Sequence, residues 1–328
     1  MKHVKLITLL LAAGLTACSS DDGTETPPAP RRMTVEVTEN PFIDSETGSR
    51  ISLSPLRRAP EKTLSHLSKF WMSYLNNGGV DECVFEQKGN VWEGTQTWPS
   101  GSDSIDFYAY TGGGNPEGPN TVAVFEYNGG NPYITFDVEQ FADKQHDLLV
   151  AYTRTSYTDE NSKVSLTFAH ACAAVQFKIG QSQALSEKGV TFTKIALVGV
   201  YNRGDFYYNI NKGEVTPTWT NLLFYPEGET PIYTLNDVAP INIPQTPTSN
   251  EGALLFPSNN SDDYLFMIPQ SHGNAKIRID YTLNEGSSST SHRKEIGLDN
   301  INWQAINWQA GYVYTINIRL GTKTLGIK

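Results

Sequence analysis

Cysteine is nearly absent: three residues in 328 cannot make a disulfide framework. Long apolar runs are missing too, and none reaches the roughly twenty residues of a membrane-spanning helix. There is no G-x-S-x-G elbow, no G-x-x-x-x-G-K-[ST] loop and no H-E-x-x-H helix. Positive charge is short, with 25 Lys and Arg against 35 Asp and Glu for a net −10. That balance excludes nucleic acid or anionic lipid as a partner drawn by electrostatics. The six histidines are scattered, at 3, 66, 146, 170, 272 and 292. His170 and Cys172, two apart on one face of an expected strand, are a conceivable metal pair. With no further Cys or His nearby, a packed histidine is the plainer reading. No catalytic residue, cofactor or metal is therefore expected, although a carboxylate pair across a cleft stays open.

What is present begins at the N-terminus. Lys2 and Lys5 precede a run of about ten mostly apolar residues, Leu6 to Leu15, the length of a signal-peptide core. Leu15-Thr16-Ala17-Cys18 resembles a bacterial lipobox, in which the thiol is lipidated and the chain is cut just before it. Residues 1–17 thus read as a leader, and acylated Cys18 as an attachment to outer-membrane lipid. Losing Lys2 and Lys5 takes the net charge from −10 to −12. Residues 18–32 are polar and proline-rich and read as a tether. Cys83 and Cys172 then remain, read as buried free thiols, with a bridge between them permitted in an oxidising compartment.

From Met33 onward, period-two alternation dominates. In "SIDFYAY", Ile105, Phe107 and Ala109 point one way, and Asp106, Tyr108 and Tyr110 the other. "TVAVFEY", "YITFDV" and "DLLVAYT" follow between Gly-, Asn- and Pro-rich turns. A polar break at 158–163 suggests two domains, 33–160 and 161–328. In "KVSLTFAHACAAVQFKI" the apolar phase slips: Val164, Leu166 and Phe168 share one parity, Val175, Phe177 and Ile179 the other. A bulge in "AHACAA" would return both sets to the same core face. "EKTLSHLSKFWMSYL" is the one helix candidate, and its second half fits a strand equally well. "INWQAINWQAG" repeats with a period of five, too short for a solenoid. The chain is expected to be all-β, with many short strands in sandwiches.

Four blocks, in order, resemble the fimbrillin family. "NVWEGTQTWPSGSDSIDFYAYTG" is similar to its Trp and Trp-Pro block before an aromatic-Ala-Tyr strand. "DLLVAYT" resembles its Asp-Leu-Leu-Val-Ala strand, and "VSLTFAHACAAVQFKI" its Phe-x-His strand. "NWQAGYVYTINIRL" resembles its closing Trp-x-Ala-Gly-x-x-Tyr-x-Tyr strand. The resemblance implies two tandem transthyretin-like β-sandwich domains and a surface lipoprotein that becomes a subunit of a donor-strand (type V) pilus. It further implies that an Arg-specific protease cuts near the N-terminus, so that a first strand leaves and a neighbour's strand fills the groove. The matching cut sites are Arg58, before Ala59, and Arg50; Arg31 and Arg32 precede the strand. The expendable strand would be Thr34, Val35, Glu36 and Val37. The closing strand, with Tyr312, Tyr314, Ile316, Ile318 and Leu320, is the candidate donor. Eight residues follow Leu320, which favours a tip or accessory subunit over a stalk. Implied partners are other fimbrillin-like subunits and a host or bacterial surface ligand. A non-polymerising surface lipoprotein that holds glycans on exposed tryptophans stays open as the alternative.

Overall fold

The computed structural model describes residues 31–45, 48–51, 67–76, 79–99, 104–113, 122–128, 130–141, 144–157, 163–181, 189–211, 213–224, 232–234, 241–242, 253–254, 264–271, 275–298, 307–320 and 325–327. Every named element among them is a strand. The chain opens with β1 (Thr34–Glu39), β2 (Phe42–Asp44) and β3 (Arg50–Ile51). Next come β4 (Lys69–Asn76), β5 (Gly79–Lys88), β6 (Val91–Glu93) and β7 (Ile105–Tyr110). An antiparallel pair follows, β8 (Ala123–Asn128) and β9 (Asn131–Asp137), then β10 (Leu149–Thr155) and β11 (Lys163–His170). The second half starts with β12 (Ala173–Gln181), β13 (Val190–Val198), β14 (Arg203–Asn211) and β15 (Glu214–Leu223). Short strands come next: β16 (Ile232–Thr234), β17 (Ile241–Asn242), β18 (Ala253–Leu254) and β19 (Leu265–Met267). The hairpin of β20 (Lys276–Glu285) and β21 (Ser288–Gly297) precedes β22 (Tyr312–Leu320) and β23 (Leu325–Ile327).

These strands make four sheets, and residues Arg32–Lys328 cluster as one compact unit. Sheet one runs β1-β11-β10-β7-β4-β5-β6. Sheet two runs β18-β12-β22-β2-β3, with β19 also on β12 and β23 also on β22. Sheet three is β16-β13-β20-β21 with β17 on β13, and sheet four is β15-β14-β9-β8. The apolar side chains separate into two cores. Met33, Phe70, Phe85, Phe107, Leu166 and Phe168 belong to the smaller. Phe42, Phe177, Phe192, Ile277, Trp308 and Ile316 belong to the larger.

The alternation in β7 is obeyed on both faces. Phe107 and Ala109 enter the smaller core, while Tyr108 and Tyr110 enter the larger. There Tyr208 of β14 packs edge-on against Tyr108 and donates its hydroxyl to the Ala109 carbonyl at 2.9 Å. A strand buried on both sides still reads as period two when one face is wholly apolar and the other carries tyrosine hydroxyls.

Two expectations change. The phase slip after Phe168 is not a bulge that returns one strand to one core. The ladder ends at His170, the chain steps through Ala171 and Cys172, and β12 enters a different sheet. Val164, Leu166 and Phe168 face the smaller core, whereas Val175, Phe177 and Ile179 face the larger. The small residues Ala171, Cys172, Ala173 and Ala174 are all fully buried, which lets the chain cross between cores without side-chain crowding. The second change concerns the helix candidate. Lys69–Asn76 is strand β4, paired with β5 and β7, while residues 61–66 lie outside the described residues. Phe70, Met72 and Tyr74 all enter the smaller core, the period of two that belongs to a strand. The polar break at 158–162 also lies outside the described residues.

Candidate strand-exchange edge

Residues 32–45 form a strap that touches both sheets flanking the step. β1 lies parallel to β11 at the edge of sheet one, in register from Thr34↔Lys163 to Glu39↔Phe168. Its inward face is thin. Met33 is fully buried, Val35 and Val37 are half-buried, and Thr34, Glu36 and Thr38 are exposed. At its start, Arg32 bridges Thr97, and the Met33 amide donates to the Gln96 carbonyl at 2.9 Å. A cavity of about 750 Å³ lies beside this end, lined by Arg32, Met33, Thr34, Cys83, Trp92 and Gln96 among others.

Past β1 the strap changes sheets. The Asn40 amide donates to the Phe168 carbonyl at 2.8 Å. Pro41, which has no N–H, occupies the crossing step, where a backbone donor would have no strand to meet. Phe42 then drops into the larger core, 1% exposed. β2 lies parallel to β22, pairing Ile43 with Tyr312 and Asp44 with Val313. The Ile43 and Ser45 amides donate to the carbonyls of Gly311 and Val313 at 2.8 and 3.0 Å. β3 folds back on β2 and places Arg50, exposed, opposite Ile43.

The edge beneath the strap is therefore composite: β11 in sheet one, then β22 in sheet two. β22 also pairs with β12, in parallel from Ala174↔Val313 to Gln181↔Leu320. On its other side β2 covers Tyr312 and Val313, and β23 covers Ile318 to Leu320. Residues 314–317 have no strand on that side among the described residues. Gly311 joins the pieces. Its φ of +75° is a left-handed conformation suited to glycine. Its amide donates to the Cys172 carbonyl at 2.8 Å, while its own carbonyl accepts from Ile43.

At the crossing sits His170, whose side chain is 3% exposed. Its Nδ1 meets Asp147 Oδ2 at 2.5 Å, and its Nε2 lies 3.7 Å from Glu39 Oε1. The Asn40 carbonyl is a further acceptor for the ring. Phe42 stacks on the imidazole, ring centroids 3.6 Å apart at 24°. Burial pulls the His170 pKa down, but Asp147, Glu39 and the Asn40 carbonyl outweigh it, and the net shift is upward. Asp147 Oδ1 is buried and has no hydrogen-bond partner.

Of the sequence-derived site residues, Cys18 and Arg58 lie outside the described residues. Thr34, Val35, Glu36 and Val37 are in β1, and Arg50 is in β3. Tyr312, Tyr314, Ile316, Ile318 and Leu320 are in β22, with Tyr314, Ile316 and Ile318 buried inside sheet two. The structure thus brings the candidate expendable and closing strands to one composite edge. His170 and Cys172 do not share a strand face: His170 ends β11 and Cys172 lies in the step. Among the described residues no cluster of three His, Cys, Asp or Glu could hold a metal. Cys83 and Cys172 are both free and buried, in different cores. None of the five described tryptophans is exposed; Trp98 and Trp308 are buried, and Trp71, Trp92 and Trp219 pack half-buried.

Sequence reasoning missed β2 and the His170 cluster. "NPF" right after an alternating run was the available sign of a strand that changes sheets.

Residues 61–328 match the profile of a family described as fimbrillin-like. Among solved structures, a fimbrial protein of Bacteroides vulgatus is similar, at 14% identity and a TM-score of 0.58. That likeness, one of fold, covers 90% of this chain and 97% of the other. A candidate cell-adhesion protein of Bacteroides uniformis is 14% identical over 80% of this chain and 89% of its own, with a TM-score of 0.46. No curated protein sequence matches the chain.

Proposed function

The chain belongs to the fimbrillin-like family, and from that premise we propose that it is a cell-surface adhesion subunit. In this reading it reaches the outer membrane as a lipoprotein through Cys18 and joins its neighbours by strand exchange along the composite edge. The observation that carries the proposal is the strap itself. One segment near the N-terminus covers the edges of two sheets, and upstream of Phe42 it buries only Met33 completely.

The physics of exchange is strand addition, in which backbone pairing supplies affinity and alternate side chains enter the core. Burying Met33 and Phe42, with Val35 and Val37 half-buried, stabilises the resident strap by on the order of 5–10 kcal/mol. An incoming strand that fills the uncovered stretch beside Tyr314–Asn317 would gain further ladder bonds, a net ~0.5–1.5 kcal/mol each. It would run parallel to β11 and β22, as the strap does. Cutting after Arg50 or Arg58 would free the strap, because both sites follow β2. Partners are then other subunits of this family.

The test is the N-terminus of material sheared from the cell surface, read by intact mass. A start at Ile51 or Ala59, in particles larger than one chain, is the expected result. Acylated Cys18 found only in membranes, on a monomer, would overturn the strand-exchange reading.

A further inference from the structure

The strap crosses between sheets over a single buried imidazole, and the chemistry there is selective. With Nδ1 engaged by Asp147, the ring must present Nε2 to Glu39 Oε1 and meet the Asn40 carbonyl. A neutral imidazole carries one N–H. Whichever nitrogen holds it, the other turns a lone pair toward an acceptor. Only the imidazolium satisfies both sides. We propose that His170 is the recognition point of the composite edge, selecting for a strand that brings a carboxylate to the Glu39 position and an aromatic ring to the Phe42 position, three residues on.

The demands come from different forces. The carboxylate adds a second counter-charge on the Nε2 side of an imidazolium that Asp147 already pairs on its Nδ1 side, in a site poor in water. The aromatic ring closes the site by covering the face of the imidazole, as Phe42 does at 3.6 Å. A strand with an aliphatic residue in place of the acid would leave the imidazolium balanced by Asp147 alone. The charged and titratable groups facing the ring are Asp147 from the segment before β10 and Glu39 from β1. Cys172, beside Asp147, is kept a neutral thiol by burial. Occupancy of the edge is therefore tied to protonation. The strap is held while His170 is charged and loosens as pH rises through a pKa above the ordinary histidine value.

This inference rests on reading residues 32–45 as a replaceable strap. The resident strap in the intact chain serves as the probe, so no partner is needed. Hydrogen–deuterium exchange over residues 34–45 would be followed at about pH 6 and about pH 9, on either side of a raised histidine pKa. After correction for intrinsic rates, strap protection should fall by roughly tenfold while β13 and β20 stay constant. Glu39→Gln, on the exposed rim, should shrink that ratio, and Phe42→Leu should lower protection equally at both pH values. A flat profile in the unaltered chain would overturn the proposal, as would a full pH response surviving in Glu39→Gln. Either result can occur with or without a cut N-terminus on sheared fibres, so this inference and the assembly reading fail separately.

Discussion

Phe168 and Phe177 stand nine residues apart on one nearly continuous extended run, and both are fully buried, yet they belong to different cores. The step between them, at Ala171 and Cys172, passes the chain from sheet one to sheet two. Everything assigned to the candidate edge is arranged about that step: β1 and β11 on one side, β2 and β22 on the other.

Truncating each phenylalanine should therefore produce a local effect. Phe168→Ala and Phe177→Ala each remove a large buried ring, a change that costs roughly 3–5 kcal/mol. Hydrogen exchange should quicken on β4, β5 and β7 for the first variant and on β13 and β20 for the second. Equal acceleration throughout the chain in either variant would mean that the cores open as one.

Locking the strap should block assembly without blocking cleavage. Thr38 and Thr167 are paired across β1 and β11, with hydroxyl oxygens 3.0 Å apart. A Thr38→Cys, Thr167→Cys variant, oxidised, should still be cut by an Arg-specific protease yet retain its strap on non-reducing gels. Reductant should restore release and growth of the fibre. Assembly of the oxidised form at the normal rate would sink the exchange mechanism.

The native thiols should be inert. Burial, with Glu82 and Asp81 nearby, pushes the Cys83 thiol up to about 12, and burial raises Cys172 as well. At pH 8 a thiol reagent should label neither residue in the folded chain and both in guanidinium. Rapid labelling of Cys83 without denaturant would contradict its burial against the Met72 carbonyl.

Gly311→Ala isolates backbone strain from clash. The new Cβ would meet nothing closer than the His170 carbonyl at 3.9 Å, so there is room. The φ of +75° is the obstacle, at about 1–2 kcal/mol for an L-residue. A lower denaturation midpoint with an unchanged slope is expected; an unchanged midpoint would show that the turn relaxes freely.

The strands were legible wherever one face of the alternation differs clearly from the other. Val164, Leu166 and Phe168, and separately Val175, Phe177 and Ile179, marked two real strands, and the parity slip between them was visible. Its meaning was not, because period-two logic says which residues share a face but not which core that face meets. The same limit hid the strap. Thr34 to Val37 alternates and could be placed, but Phe42 is one apolar residue after a proline, below any periodic signal. His170 was noticed beside Cys172, its neighbour in sequence. Its actual partners lie far off along the chain, Asp147 on one side and Glu39 on the other. No spacing rule connects them.

Both strands of the strap run in the same direction as the strands beneath them. This has a mechanical consequence. When parallel neighbours are pulled along their own axis from opposite ends, they are loaded in shear, and every rung of the ladder shares the tension at once. Strands peeled sideways give up their rungs one at a time. A fibre spliced along this line would be stiffest along its own length, and its joints would yield abruptly, all rungs together, under a lengthwise pull.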